Sequence, residues 1–71
     1  MELKEEVGKK LRERRKQLKL TQKQVAEKLG VAQPVYQRFE KGIYECSYAH
    51  LAALCKLYDL SADYLLGLAD Y

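Results

Sequence analysis

The apolar positions of the chain fall into five groups at helical spacing, and none suggests a strand. Leu3, Val7, Leu11 and Leu18 recur at intervals of four and seven among Lys, Arg and Glu, which predicts a helix over residues 2–19. That stripe has a gap at positions 14 and 15, both Arg. Val25, Ala26 and Leu29 mark a second, two-turn helix. Thr21 is its N-cap, and Gln24, three residues on, completes a capping box. Gly30 suits the left-handed residue that closes such a helix, and Val31 is expected in the core. A third helix is predicted from Gln33 to Lys41. Ala32 at its N-cap is weak by about 1 kcal/mol against Ser or Thr. Pro34 falls in the first turn, where its missing N–H is harmless. Tyr36 and Phe39 face inward, and Gly42 ends the helix. Residues 43–46 form a loop. Ser47 caps a fourth helix to Tyr58, with Tyr48 leading in and Leu51, Leu54, Cys55 and Tyr58 on one face. After the Asp59-Leu60 corner, Ser61 caps a last helix. Asp63 sits in its first turn, favourable for the dipole, and Ala62, Tyr64, Leu65 and Leu66 are apolar before Gly67.

Two short helices joined by a tight turn over Thr21–Gly42, the second with a polar outer face, have the spacing of a helix-turn-helix. The small Ala26 permits the close crossing such a pair requires. An Arg at the edge of a buried stripe needs a partner. Glu40 is the candidate for Arg15, unless Arg15 reaches solvent along its own stem.

Length and charge sharpen this picture. Seventy-one residues suffice for one domain, 1–71, with one core. Residues 1–42 carry twelve Lys/Arg against six Asp/Glu, a net of +6, while residues 43–71 carry a net of −3. The cationic half holds the helix-turn-helix, as a phosphate-binding face requires. No signal peptide or membrane span is evident, and a cytoplasmic location is expected. Cys46 and Cys55 lack CxxC spacing and read as reduced thiols. With His50 they make three potential metal ligands without a clear fourth, so no metal is expected. One His, no Gly-rich phosphate loop, no paired carboxylates on a recognisable scaffold and little volume for a cleft argue against an enzyme and against a cofactor.

Taken together, Arg15, Leu20-Thr21-Gln22, Val25-Ala26, Leu29-Gly30-Val31, Phe39-Glu40-Lys41-Gly42 and Ser61-Ala62-Asp63-Tyr64-Leu65-Leu66-Gly67 resemble the phage-repressor, or Cro/cI-type, helix-turn-helix family. The resemblance runs from about Val7 to Gly67. It implies an all-α, lambda-repressor-like bundle of five helices that commonly binds operator DNA as a dimer. It also implies an Arg15–Glu40 ion pair and places Gln22 at a phosphate-contacting position. The chain departs from the family where Ser or Thr is usual, at Ala32, Pro34 and Val35, and where Cys46 replaces a proline.

The expected function is therefore transcriptional regulation by a repressor that reads double-stranded DNA. Gln33 offers the paired donor and acceptor that suit adenine, and Arg38, expected near the same face, the fork that suits guanine. Gln37 and Val35 are further candidates, Val35 against a thymine methyl. Thr21, Gln22, Lys41 and Tyr44 are candidates for phosphates, with Arg12, Lys19 and Lys23 adding diffuse attraction. A domain this small reads few base pairs, so a homodimer on a palindromic site is expected, through Tyr64, Leu65, Leu68 and Tyr71. The competing expectation is an antitoxin or other interaction component whose acidic, Tyr-rich C-terminal half binds a protein partner.

Overall fold

The computed structural model describes residues 2–70, which form five helices: α1 Leu3–Gln17, α2 Gln22–Leu29, α3 Gln33–Glu40, α4 Tyr48–Tyr58 and α5 Ala62–Leu65. Three of the starts are set by side chains. Thr21, Ser47 and Ser61 each accept a hydrogen bond from the backbone N–H three residues on. The ends share one device. After each helix a residue turns left-handed: Lys19, Gly30, Gly42, Asp59 and Gly67, with φ between 54° and 78°. The N–H that follows then reaches back to a carbonyl of the last turn, as Val31 does to Ala26 (3.0 Å) and Ile43 to Arg38 (3.0 Å). These left-handed residues stop α1 at Gln17 and α3 at Glu40, short of the expected residues 19 and 41.

Val7, Leu11, Val25, Ala26, Tyr36, Phe39, Leu54, Tyr58 and Leu65 form one continuous core. Several sequence expectations shift at its rim. Leu3 and Leu18, expected on the inward stripe of α1, are exposed. Leu3 lies in the first turn and Leu18 is the C-cap, so both lie beyond the part of α1 that faces α3. Tyr48 does not lead inward but is 93% exposed. Val31, Leu29 and Cys55 are half-buried against the core rather than inside it.

The gap in the α1 stripe is filled by its two arginines. Arg14 Nε donates to the Tyr58 carbonyl at the end of α4 (2.8 Å). Arg15 Nε donates to Glu40 Oε2 (2.6 Å), Nη2 to Glu40 Oε1 (3.2 Å), and Nη1 to the Leu20 carbonyl (3.0 Å). Two turns up the same helix, Gly8 lets α1 meet the end of α3 backbone to backbone. A Cβ there would lie 2.4 Å from the Phe39 carbonyl oxygen and 2.6 Å from that of Glu40. α1 thus carries α3 on a glycine contact and an ion pair, and this sets the height and roll of α3 on the molecule. From the middle of α1, Lys10 Nζ donates to the Tyr64 carbonyl (2.7 Å) and lies over the Tyr64 ring, which fastens α5 to α1.

Candidate nucleic-acid interface

The geometry of the surface begins with the turn between α2 and α3. Gly30, at φ 77°, lets its own N–H bond the Glu27 carbonyl and the Val31 N–H bond that of Ala26. Both bonds together close α2 and redirect the chain within three residues. Pro34 occupies the first turn of α3, where no intrahelical bond is lost.

The roll of α3 follows from what it buries. Tyr36, Phe39 and Glu40 are inward. At about 100° per residue, the direction opposite their mean falls almost on Pro34. The outward arc therefore runs from Gln33 through Gln37 and Pro34 to Arg38, with Gln33 and Arg38 about 140° apart at its two edges. They do not share one narrow face, contrary to expectation. Gln33, Pro34 and Arg38 are exposed and Gln37 is half-buried. Val35 is half-buried against the core, on the side away from Gln33. The apolar group at the centre of the arc is thus Pro34, which sequence reasoning treated only as a harmless first-turn residue. Its signal was available in the helical wheel once the buried face was known.

Among the described residues, the side chains of Gln33, Gln37 and Arg38 make no hydrogen bond or ion pair, so their donors and acceptors are open. Arg38 is nevertheless not loose: its guanidinium lies over the Tyr44 ring, 5.5 Å from the centroid.

Beside this arc stands the start of α2. The Thr21 hydroxyl accepts from the Gln24 N–H (3.1 Å) and the Gln24 side chain accepts from the Thr21 N–H (2.8 Å), forming the capping box. The N–H groups of Gln22 and Lys23 have no partner among the described residues, so the positive end of the helix stays open to an anion. The Gln22 side chain does not project freely from that surface. Its Nε2 donates to Glu40 Oε1 (3.1 Å), so α2 and α3 are joined through the carboxylate that also binds Arg15. Lys41 is exposed just after α3, and Arg12, Lys19 and Lys23 are exposed as well.

The Glu40 carboxylate is the electrostatic centre of this framework. Its side chain is 3% exposed and that of Arg15 is 13% exposed. Burial pushes the carboxyl upward. The hydrogen bonds from Arg15, Tyr36 and Gln22, with the Arg15 charge, outweigh it and hold Glu40 below its ordinary value. The same pairing raises Arg15, since its hydrogen bond to Glu40 outweighs burial. Behind the pair, the Tyr36 and Tyr58 hydroxyls meet at 2.5 Å in the core. Burial is the main reason that both phenols are pushed up, Tyr58 to about 12.

The residues expected to join two copies separate in the structure. Leu65 is fully buried in the core of its own chain, because α5 docks through it, and so it cannot belong to a surface between copies. Tyr64 is half-buried beneath Lys10. Leu68 is 75% exposed, and Tyr71 lies outside the described residues.

A bundle that offers the outer arc of α3 beside the open start of α2, with the pair locked to α1 through an Arg–Glu bridge, defines a helix-turn-helix protein. The chain matches the family described as Helix-turn-helix over residues 11–65. It is 45% identical over 60 residues to the uncharacterised HTH-type transcriptional regulator YobD of Bacillus subtilis (strain 168), an alignment that covers 84% of this chain and 54% of that protein. It is 38% identical over 61 residues to the HTH-type transcriptional regulator ImmR of the same organism, covering 86% of this chain and 48% of that protein. The chain thus spans about half the length of the curated relatives it matches. Among solved structures it is similar to the P22 c2 repressor in complex with a synthetic operator, with TM-score 0.82 and 33% identity, covering 89% of this chain and 96% of that chain. The chain belongs to the phage-repressor, Cro/cI-type, helix-turn-helix family.

Proposed function

We propose that this chain is a sequence-specific, DNA-binding transcriptional regulator of the repressor type, which lays α3 in the major groove of double-stranded DNA. The observation that carries this reading is the outer arc of α3. Gln33, Gln37 and Arg38 hold open hydrogen-bonding groups there, around the apolar ring of Pro34. Side chains of these types discriminate base edges: the amides suit adenine, the guanidinium suits guanine, and an apolar ring suits a thymine methyl. Val35 contributes at the margin through whatever part of it is exposed. The free N–H groups at the start of α2, with Thr21, Gln22 and Lys41, set the register against phosphates. The similar P22 c2 repressor is found in complex with a synthetic operator, which supports DNA as the partner of this chain as well.

Two copies of the chain would place two α3 helices about 34 Å apart on a palindromic site. Leu68 is a large apolar residue of the C-terminal segment that stays exposed, and so is available for such a contact.

Selection of bound sequences from a random duplex pool tests the proposal. The expected outcome is a palindromic consensus, lost in the Gln33→Ala/Arg38→Ala double variant, with residual salt-sensitive binding retained. An unchanged consensus in the double variant would show that the arc is not the reading surface.

A further inference from the structure

We infer that Tyr44 is a positioning residue for Arg38, one that holds the guanidinium at the edge of the reading arc through the face of its ring. The inference rests on the proposal that the outer arc of α3 reads DNA.

The backbone brings the two residues together. Gly42, at φ 73°, reverses the chain after α3. The N–H groups of Ile43 (3.0 Å) and Tyr44 (3.3 Å) then both donate to the Arg38 carbonyl. Tyr44 is thereby anchored beside the very turn that carries Arg38. Tyr44 also borders a hollow of mixed lining, with Phe39, Cys46 and Leu51 on the side of the protein body and Glu2, Lys4 and Glu45 at its rim. From that seat it meets the guanidinium at 5.5 Å, inside the range in which a cation is attracted to a ring face.

The consequence for reading is geometric. A ring attracts the guanidinium as a cation and takes up none of its N–H donors as hydrogen bonds, so the fork stays free to meet an acceptor pair. Arg38 has no other side-chain partner among the described residues, so the ring alone restrains its head group. An unrestrained arginine loses rotamer freedom on meeting a base, and one already held over a ring loses less. Tyr44 therefore sharpens the preference at the base pair that Arg38 reads and leaves the others alone. This differs from the phosphate contact that the sequence suggests for Tyr44. Such a contact acts through the hydroxyl and weakens all sequences alike when removed.

The test uses the site selected by the wild-type chain and the base pair whose preference Arg38→Ala erases. Tyr44→Leu, which keeps an apolar side chain in the seat, and Tyr44→Ala should each lower discrimination at that base pair by about two- to fivefold. Tyr44→Phe should retain it, and Tyr44→Leu in the Arg38→Ala background should change nothing further. Melting curves of each variant establish that the fold is kept. A uniform loss over all sequences, or a Tyr44→Phe loss equal to that of Tyr44→Leu, overturns the inference and leaves the reading surface standing. An Arg38→Ala variant that erases no base preference overturns it as well. A wild-type chain that selects no sequence overturns the reading surface itself, and this inference with it.

Discussion

Replacing Glu40 by alanine removes the carboxylate on which α1, α2 and α3 converge. The change leaves Arg15 with one protein partner, the Leu20 carbonyl, in place of three contacts, and leaves the Gln22 amide without its acceptor. Removing one member of a buried ion pair costs about 3–5 kcal/mol, because a charge stays behind without compensation. Arg15 is 13% exposed and keeps one hydrogen bond, and Gln22 is near enough to solvent to find water, so the lower end, about 3 kcal/mol, is expected. That is a large share of the stability of a chain this short, roughly 0.05–0.15 kcal/mol per residue. Urea denaturation followed by circular dichroism reads it directly. At a slope of about 1 kcal/mol/M, the midpoint falls by about 3 M.

Two controls separate the ion pair from mere packing. Arg15→Met/Glu40→Met, which removes both charges, should be closer to wild type than the two single losses sum to. The second control is pH. Glu40 titrates below its ordinary 4.5 in the folded chain, so its contribution is complete above that value and is lost as pH falls through the lower folded one. The stability gap between wild type and Glu40→Gln should hold constant above pH 4.5 and shrink below it. A Glu40→Ala midpoint equal to that of wild type would put the carboxylate in solvent and refute the reasoning.

Other changes test other parts of the framework. Gly8→Ala gains about 1 kcal/mol of helix propensity but drives a methyl into two α3 carbonyls, an overpacking cost of about 1–3 kcal/mol or more; a lowered melting temperature is expected, and a raised one would contradict the close approach of α1 to α3. Lys19→Gly relieves a left-handed residue, worth roughly 1–2 kcal/mol, against about 0.5–1 kcal/mol of added chain entropy. A small rise in stability is therefore expected, and a fall on thermal melting would count against that turn. Tyr36→Phe should cost about 1–3 kcal/mol by stranding the Tyr58 hydroxyl, Tyr58→Phe less because the Tyr36 hydroxyl keeps the Glu40 carboxylate beside it, and the double variant less than their sum. In the wild type, alkaline titration should find two phenols that stay protonated above the ordinary 10.0 until the fold opens.

How much of this was legible beforehand depends on the range of the physics involved. Caps are decided within four residues, so Thr21 with Gln24, Ser47 and Ser61 mark their helices in the sequence as they do in the structure. Gly30, Gly42 and Gly67 mark the ends for the same reason. Apolar spacing locates the helices, and the pattern over residues 21–42 identifies the helix-turn-helix. Asp59, a residue type that tolerates the left-handed region, marks its corner too, whereas Lys19 carries no such signal, because its left-handed conformation is imposed by the closing bonds of the turn rather than invited by the residue.

Spacing along a helix sets the angles between side chains but not the direction of zero, which the facing element chooses. Only the docking of α3 on α1, through Gly8 and the Arg15–Glu40 bridge, turned Pro34 outward and Val35 toward the core. By the same rule Leu3, Leu18 and Tyr48 were left at the surface and Leu65 was taken wholly inside. The cation–ring contact of Arg38 with Tyr44 and the Gln22 bond to Glu40 join residues on different elements, and no local pattern encodes them. The sequence by itself determined which segments are helices and which family of surface they build. The tertiary structure decided which side chains that surface holds out, because the roll of each helix is fixed by contacts between residues far apart in the chain.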